Sequence, residues 1–438
     1  MKQLKIVIPI LICLAAFAIT LLYLLTTSRF KPTSVVCPDG TVLELTAVTY
    51  GKFHNCPMEH PWNRFLQVIP TLIQQKLGVV TRNKFQSKED SMVAWFRWKG
   101  KTARWFGRKM VIDPSGYRSK INGWSYQGNP PANSGLSEIW LGYEIKVFPH
   151  RAKSFTFQFS NWNDQVLAEF EIRNPVRSNP APFPADPLPQ SQTVDDMEFK
   201  LISLEVPNTD HASKEVERIF RNGDVRATFE IKQNGQVVEN WQPVNIWLED
   251  ATGNKSKNSS WSNREEKGKA SMTFSPGLFS DEAWKIRAQF ARKSDFLSED
   301  LWTATVPLPQ HPQYETNLVS HVLHNKKIIL KGVADENNIL LDGTKGDGVR
   351  SQRNNKSKQF RIFVEDMDTD LRLDLVRVKD DQDRECKDSG KSWGGGQYDY
   401  DLEIEPDAKS LTVTVALHRS KFANYTAEPQ EIKTVAQE

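Results

Sequence analysis

The residue patterns in this chain that could carry chemistry are short acidic and glycine-containing segments. Asp366-Met-Asp-Thr-Asp370 opens like a calcium-binding loop, but an EF-hand needs glycine at loop position 6 and glutamate at position 12. Leu371 and Arg377 occupy those positions, so the pattern excludes an EF-hand and leaves a looser calcium site or a solvated acidic turn. Gly390-Lys391-Ser392 ends like a phosphate-binding loop, but Glu385 stands where the first glycine of that loop belongs.

The other residues that could act in catalysis or metal binding are scattered. His321 and His324 form the closest histidine pair, but a zinc site needs further ligands, and neither a glutamate nor a helical pattern accompanies them. Carboxylates alternate from Asp399 to Glu405, as they do on the wet face of an antiparallel strand. These patterns predict a non-enzymatic protein without a catalytic residue, metal ion or cofactor. A carboxylate-based hydrolase on a β scaffold is one alternative.

Aromatic side chains are the main candidates for ligand binding. The polar loop 115–137 carries Tyr117, Trp124 and Tyr126, and aromatic rings on long loops can stack on sugars or anchor a protein partner. We assign these three residues as candidate ligand-binding residues, with a glycan-binding module set as an alternative function. In a competing interpretation Trp124 folds back and covers the edge of its own domain.

The charge distribution argues against a nucleic-acid partner. The first 31 residues hold four of the 57 Lys and Arg residues and none of the 54 Asp and Glu residues. The rest of the chain is therefore close to neutral, whereas a nucleic-acid interface needs a concentrated basic field. One basic loop remains, and we interpret it as a solvated loop, with an anionic polymer or lipid headgroup as the alternative. Its members are Lys345, Arg350, Arg353, Lys356 and Lys358.

The elements that must position these residues are strands. From Tyr398 to Glu405 apolar and acidic residues alternate, and Trp284 to Phe290 alternates in the same way with basic residues. A period of two is typical of a half-buried antiparallel strand. Only residues 61–80 have a helical pattern, which Pro70 interrupts.

An internal repeat links the two ends of the chain. Tyr143 to Pro149 leads into a strand over Ala152–Phe159, and Tyr400 to Pro406 leads in the same way into Ala408–Val415. The middle of the chain repeats this order more loosely around the Trp284 strand. Each copy predicts a strand, a proline turn and a return strand into the same core.

Three such units resemble tandem immunoglobulin-like or fibronectin-type β-sandwiches. The resemblance concerns the fold alone, because the Cys…Trp…Cys signature of antibody domains is missing. It implies an all-β chain of three antiparallel β-sandwich domains. Proline-rich seams divide them, so the predicted divisions are a tail and anchor at 1–31, a first sandwich at 32–175 with a short helical insertion near 61–80, a linker at 176–192, a second sandwich at 193–309 and a third at 310–438.

The apolar run Ile6–Leu25 predicts an N-terminal transmembrane helix. Twenty residues without a charge span about 30 Å as a helix, which matches a bilayer core. The run is longer than the apolar region of a cleaved signal peptide, and no small-x-small site follows it. We therefore expect a single-pass protein that contacts the lipid bilayer through residues 6–25, with a cytoplasmic N-terminus and the bulk of the chain extracytoplasmic.

The positions of the cysteines allow one disulfide. Cys37 and Cys56 flank a strand-like stretch, so they are a candidate disulfide in an oxidising compartment, with two free thiols as the alternative. Taken together, the patterns predict a membrane-anchored, non-enzymatic scaffold that binds an unknown protein or glycan partner, or acts structurally.

Overall fold

Alternation of apolar and polar residues gives this protein an all-β structure. A computed structural model describes residues 33–55, 84–99, 108–121, 125–128, 138–161, 165–207, 225–259, 263–266, 268–274, 282–308, 319–335, 357–394 and 396–432. These residues form 28 strands and one 3₁₀-helix. The sheets pair almost entirely antiparallel and pack face to face as tandem sandwiches, as the sequence predicts.

The first sandwich contains two sheets, of strand order β1-β2-β3-β7-β6 and β5-β4-β8-β9. Its strands are β1 (Thr33–Val36), β2 (Val42–Asn55), β3 (Lys84–Lys99), β4 (Arg108–Ile112), β5 (Arg118–Lys120), β6 (Ser125–Gly128), β7 (Glu138–Ile145), β8 (Ser154–Ser160) and β9 (Val166–Arg173). Aromatic rings fill its core: Phe96 contacts Phe157, Phe159 and Phe170 at centroid distances of 5.0–5.1 Å.

The middle sandwich begins with β10 and ends with the last strands of the chain. Its strands are β10 (Gln190–Val194), β11 (Met197–Pro207), β12 (Val225–Gln233), β13 (Gln236–Val237), β14 (Trp241–Glu249), β15 (Lys255–Ser259), β16 (Asn263–Glu266), β17 (Lys269–Phe274), β18 (Trp284–Arg292), β27 (Lys421–Ala427) and β28 (Gln430–Ile432). One sheet has the order β10-β11-β12-β17-β16, with β13 beside β12 and β28 parallel to β11; the other has the order β15-β14-β18-β27.

The third sandwich lies between β18 and β27 along the chain. It follows a 3₁₀-helix at Ser298–Asp300, and its sheets have the orders β19-β26-β23 and β20-β21-β22-β25-β24. The strands are β19 (Leu301–Pro307), β20 (Val319–Leu323), β21 (Lys326–Asp335), β22 (Ser357–Val364), β23 (Leu371–Asp380), β24 (Lys387–Gly394), β25 (Gln397–Glu403) and β26 (Ser410–Arg419).

The internal repeat extends over the whole sandwich. The larger sheets share one order, in which β1-β2-β3-β7-β6 corresponds to β10-β11-β12-β17-β16 and to β20-β21-β22-β25-β24. The same aspartate turn also follows the equivalent strands β4, β14 and β23. Asp113, Asp250 and Asp380 each accept hydrogen bonds through Oδ1 from backbone N–H groups two and four residues ahead. Each unit therefore uses one sequence-encoded hairpin at the same place in the fold.

The last strand of the unit is exchanged between the middle and third sandwiches. In the first sandwich β9 pairs with β8, its neighbour along the chain. By the same order β19 would pair with β18, and β27 with β26. Instead β27 pairs with β18, and β19 pairs with β26. This pairing differs from the predicted division at 193–309 and 310–438, because residues 301–307 complete the third sandwich and residues 421–432 complete the middle one.

Side-chain contacts also connect the first sandwich to the middle one. The Asn254 amide donates to the Phe148 carbonyl oxygen (3.0 Å), and Arg151 Nη2 donates to Glu282 Oε2 (2.5 Å). Val147 packs against both cores. Downstream, the predicted linker lies along the middle sandwich, since Asp186 N donates to the Thr426 carbonyl oxygen (3.1 Å).

The predicted N-terminal transmembrane helix, and the single-pass membrane location derived from it, are wrong. No helix formed by the described residues is long and apolar enough to cross a membrane. In the described ranges apolar residues recur mainly at every second position, which buries one face of a strand rather than forming a long apolar helix. The apolar run 6–25 and the segment 61–80, which we predicted to be helical, lie outside the described residues.

Candidate functional site

The structure describes two of the three aromatic residues that we predicted to bind a ligand. Tyr117 lies in the core of the first sandwich, with only 8% of its surface exposed. Tyr126 lies in β6, where its backbone pairs with Gly142, and Trp124 lies outside the described residues. The ligand-binding role of this loop stays a prediction, and the buried ring of Tyr117 offers no stacking surface.

Only one of the two cysteines of the candidate disulfide lies in the described part of the chain. Cys37 is buried, and desolvation raises the pKa of its thiol, with the nearby Asp39 charge adding to the effect. Cys56 lies outside the described residues, so the pairing of these two cysteines stays a prediction.

The acidic segment that opens like a calcium loop is engaged by basic side chains. Lys326 Nζ donates to the Asp366 carbonyl oxygen (2.6 Å) and to Asp368 Oδ1 (3.1 Å), and Asp370 forms an ion pair with Arg419. His324 donates through Nε2 to Asp300 (2.7 Å). Among the described residues, no group of three or more His, Cys, Asp and Glu side chains could hold a metal ion.

One glycine-containing segment has the spacing of a nucleophile elbow but a different structure. Gly390-Lys-Ser-Trp-Gly394 matches the G-x-S-x-G pattern, which requires a sharp turn from a strand into a helix. Here these residues belong to β24 and pair with β25 in an antiparallel sheet. The segment therefore lacks the turn that would expose the serine.

A polar network lies in the first sandwich, on the side of β2, β3 and β7 away from the main core. His54 Nδ1 lies 2.8 Å from Thr49 Oγ1, which accepts a hydrogen bond from Trp95 Nε1 (3.0 Å). Ser91 Oγ lies 3.4 Å from His54 Nε2. Nearby, Ser87 Oγ donates to Glu144 Oε1 (2.6 Å).

This network has the composition of a serine–histidine site but is almost fully enclosed. His54 and Ser91 are each 1% exposed. Desolvation lowers the pKa of His54, against the opposing effects of a backbone hydrogen bond at Gly51 and the charge of Glu144, so burial favours the neutral imidazole. We interpret the network as the internal hydrogen bonding of a sheet that is buried on both faces.

The candidate functional site is a cleft where the middle and third sandwiches meet. The cleft has a volume of about 410 Å³ and is lined by the connection from β18 to β19 and by the first half of β23. We call it the joint cleft. Its lining residues are Gln242, Arg292, Lys293, Ser294, Asp295, Phe296, Leu301, Arg372, Asp374, Leu375 and Val376.

Strand exchange builds the walls of the joint cleft. The connection leaves β18 at Lys293, whose N–H donates to the Asn240 carbonyl oxygen (2.9 Å). At Asp295 the backbone adopts φ 54°, and its carbonyl oxygen accepts from Arg292 Nη1 (3.0 Å). Phe296 then packs against His418, with ring centroids 5.0 Å apart. Because His418 belongs to β26, this contact joins the connection to the third sandwich.

Charged groups of both signs line the cleft. Arg292 lies over the Trp241 ring at 5.3 Å, and Arg372 Nε lies 3.9 Å from Asp374 Oδ2. Asp374 also accepts a hydrogen bond from His418 Nε2 (2.9 Å). Three cations and two carboxylates thus line the cleft, and one of those carboxylates is already held by a histidine.

Four buried polar atoms at the joint cleft have no hydrogen-bond partner among the described residues. They are Asn240 Oδ1, Trp241 Nε1, Arg372 Nε and His418 Nδ1. Arg372 lines the cleft itself, while Trp241 and His418 lie directly behind the lining residues Arg292 and Phe296. Asn240, Trp241 and His418 lie outside the cleft lining and all four atoms are buried, so these atoms belong to the packed joint behind the cleft.

The sequence contains no motif for the joint cleft. Its residues come from β14, the end of β18, the connection from β18 to β19, the start of β19, and β23, and none stands at a spacing that indicates binding. One signal could have pointed to the exchange that forms it: Leu417 to Ala427 (LHRSKFANYTA) contains neither glycine nor proline, so no strong turn separates β26 from β27.

Comparisons with known proteins assign the chain to no family. No protein-family model and no curated protein matches it. Among solved structures, one match is the crystal structure of a mutant alpha-2-macroglobulin from Salmonella, at 11% identity and a TM-score of 0.15. That match covers 92% of this chain, and the chain spans 28% of the length of that protein. At this score the likeness supports no inference about fold or function.

Proposed function

We propose that this protein is a non-enzymatic binding scaffold in which exchanged strands hold the middle and third sandwiches together around a ligand cleft. The observation that carries the proposal is the reciprocal pairing of β27 with β18 and of β19 with β26. Two separate connections therefore cross between the sandwiches. The middle sandwich needs β27, which follows the third sandwich along the chain, and the third sandwich needs β19, which follows directly from the middle one.

Side chains of the exchanged strand support a fixed joint. Tyr425 of β27 is buried in the middle core, and its hydroxyl donates across the sandwich to the Phe199 carbonyl oxygen (3.0 Å). At the crossing itself, Gln289 Nε2 donates to Ser420 Oγ (2.9 Å) and to the Thr369 carbonyl oxygen (3.2 Å). A ligand cleft between domains keeps its shape only if the domains do not move independently, and these contacts provide that restraint.

The absence of an enzymatic role is part of the proposal. Two carboxylates have structural partners. Asp399, from the alternating acidic strand, receives two hydrogen bonds from Arg361 (2.5 and 3.1 Å), and Asp380, at the end of β23, receives one from Arg384 Nε (2.6 Å). These contacts brace a pair of strands and a turn, which is a structural role for both carboxylates.

Core truncation tests whether the two sandwiches form one unit. Leu373→Ala removes a fully buried side chain from the third core and should cost about 2–5 kcal/mol of unfolding free energy. Native-state hydrogen exchange should then show loss of protection in β18 and β27 of the middle sandwich as well as in the third. Leu43→Ala, an equally buried leucine of the first core, is the matched control and should leave β18 protected. Full protection of β18 and β27 in the Leu373→Ala protein would overturn the proposal.

A further inference from the structure

The outer face of the smaller sheet of the middle sandwich carries a group of basic and aromatic side chains. In the sheet β15-β14-β18-β27, Trp247 lies directly opposite Lys257 on one side and Arg287 on the other. Cross-strand partners point to the same side of a sheet, and the residues between them along each strand belong to the core, so this row faces away from the core. Lys285 and Phe422 lie on the same face in the adjacent rows. We call these five residues the basic face.

Aromatic rings hold the cations of the basic face in place. Lys257 Nζ lies 5.3 Å from the centroid of the Trp247 ring, and the guanidinium carbon of Arg287 lies 5.8 Å from it. Because β14 lies between β15 and β18, the two cations flank this ring from either side. The Arg287 guanidinium also lies over the Phe422 ring at 4.3 Å. Such cation–π contacts restrict the side chains, but a ring carries no net charge, so the positive charges remain.

The charge of the basic face is exposed and largely uncompensated. Lys257, Lys285 and Arg287 are exposed, and none of the three forms an ion pair with a described residue. Glu249 lies opposite Lys285 in the next row, but its ion-pair partner is Lys255, at 3.8 Å. Three cations therefore present their charge to whatever lies outside the sheet.

The shared fold of the three sandwiches does not require these cations. On the equivalent face of the first sandwich, Gln158 of β8 donates to Glu169 of β9 (2.6 Å). On that of the third, the hydroxyl oxygens of Thr303 in β19 and Thr414 in β26 lie 2.9 Å apart. These two faces pair polar side chains across their strands, whereas the middle one directs cations to solvent. Since the strand order is the same in all three, the fold alone does not account for the basic face.

The geometry of the basic face indicates the chemistry of a partner. A sugar or a nucleic-acid base stacks on an open ring face, but cations lie over both rings here, and a nucleic acid also needs a broader basic field than three cations. An arginine that lies over a ring keeps N–H groups at the edge of its guanidinium, where a carboxylate can accept two parallel hydrogen bonds. Lys285 and Arg287 are two residues apart on one strand, or about 6.5 Å, and alternate side chains of an extended peptide have the same spacing.

We propose that the basic face docks an acidic, extended segment of a partner protein, whose carboxylates pair with Arg287, Lys257 and Lys285. This inference deepens the proposed scaffold function by naming the kind of partner, and it rests on that function because Phe422 belongs to β27. That strand follows the third sandwich along the chain and completes the middle one.

Fluorescence anisotropy of labelled polyanions tests the basic face in the full chain. The probes are a glutamate peptide, an oligothymidylate and an oligogalacturonate, each of about ten units and at the same low ionic strength. We expect the peptide to bind most tightly, and Arg287→Gln to weaken its binding about fivefold. The double variant Arg287→Gln/Lys257→Gln should weaken it further. Arg173→Gln is the matched control, since Arg173 is exposed on β9, the equivalent last strand of the first sandwich; its affinity should stay within about twofold of the unmodified protein.

Each outcome decides the question. Peptide binding that falls in the Arg287→Gln protein and not in the control supports the proposal. Absence of peptide binding at about 1 mM, the range of very weak ligands, would overturn it, as would binding that the single and double variants leave unchanged. Equal or tighter binding of the oligothymidylate or the oligogalacturonate would overturn the assignment to a protein partner. If hydrogen exchange still couples the middle and third sandwiches in these cases, the scaffold proposal survives while the docking proposal fails.

Discussion

The first sandwich and the joined middle and third sandwiches are built from one unit but close it differently. In the first, β8 and β9 form a local hairpin, whose turn is closed by hydrogen bonds between Asn161 and Gln165. In the other two, the equivalent last strands are exchanged. The comparison teaches that a short connection, rather than the strands themselves, decides which core receives the last strand.

The physical reason lies at Ser420. Only this residue separates β26, which ends at Arg419, from β27, which begins at Lys421. A two-residue loop is the shortest common hairpin connection, so β27 cannot turn back onto β26 and continues into the middle sandwich. The connection from β18 to β19 is longer and contains the 3₁₀-helix Ser298–Asp300, which lets β19 reach the place beside β26 that β27 leaves open.

The largest predicted effect comes from removing a buried ring from an exchanged last strand and, for comparison, from a last strand that forms a local hairpin. Tyr425→Ala in β27 and Phe170→Ala in β9 each remove a buried ring and should each cost about 3–5 kcal/mol of unfolding free energy. Hydrogen exchange should place the loss in both the middle and third sandwiches for Tyr425→Ala, and in the first alone for Phe170→Ala. If the Tyr425→Ala protein lost protection in the middle sandwich alone, just as Phe170→Ala does in the first, exchanged and local last strands would not differ in their effect.

A smaller effect is expected where the first sandwich meets the middle one. Arg151→Ala removes the ion pair with Glu282, whose side chain is 3% exposed. Losing such a charged hydrogen bond should lower the unfolding free energy, measured in denaturant, by about 1.5–3 kcal/mol. The exposed Arg173 of β9 provides the control, since Arg173→Ala should change stability by less than about 0.5 kcal/mol. A loss of equal size in both variants would show that the contact between the first and middle sandwiches adds no specific stability.

The smallest effect concerns pH and is confined to the first sandwich. The pKa of His54 is lowered by burial, so the unfolded chain binds more protons near and below the ordinary histidine pKa of about 6.5. Stability should therefore fall as pH decreases from about 7 to about 5, and it should not fall further once His54 is protonated in the folded state.

His54→Gln tests that assignment, because glutamine keeps a polar side chain and removes the titration. Urea unfolding at several pH values should show a weaker pH dependence in this variant, with hydrogen exchange placing the difference in β2 and β3. His321→Gln, at an exposed position that stacks on Trp302 (5.4 Å), should keep the original dependence. An unchanged profile in the His54→Gln protein would show that other groups, such as the half-buried His150, carry the pH dependence.

Much of each sandwich was predictable because strand patterns are local. Tyr400, Leu402 and Ile404 are buried in the third core, and Trp284, Ile286 and Phe290 in the middle one, as their alternation predicts. The candidate site was not predictable, because its parts are distant along the chain. Arg372 and Phe296 stand in ordinary strand and loop sequence, and the cleft forms only where the exchanged strands bring β18, β23 and β26 together.

The sequence by itself determined that apolar and polar residues alternate along this chain and that it builds repeated β-sandwich units, since those features depend on neighbours within a few residues. Only the tertiary structure decided that β27 completes the middle sandwich, that β19 completes the third, and that a cationic cleft lies at their joint. Pairing between β18 and β27 depends on contacts between residues far apart along the chain. Local sequence does not determine which of two equivalent strands pairs at the edge of a given sheet.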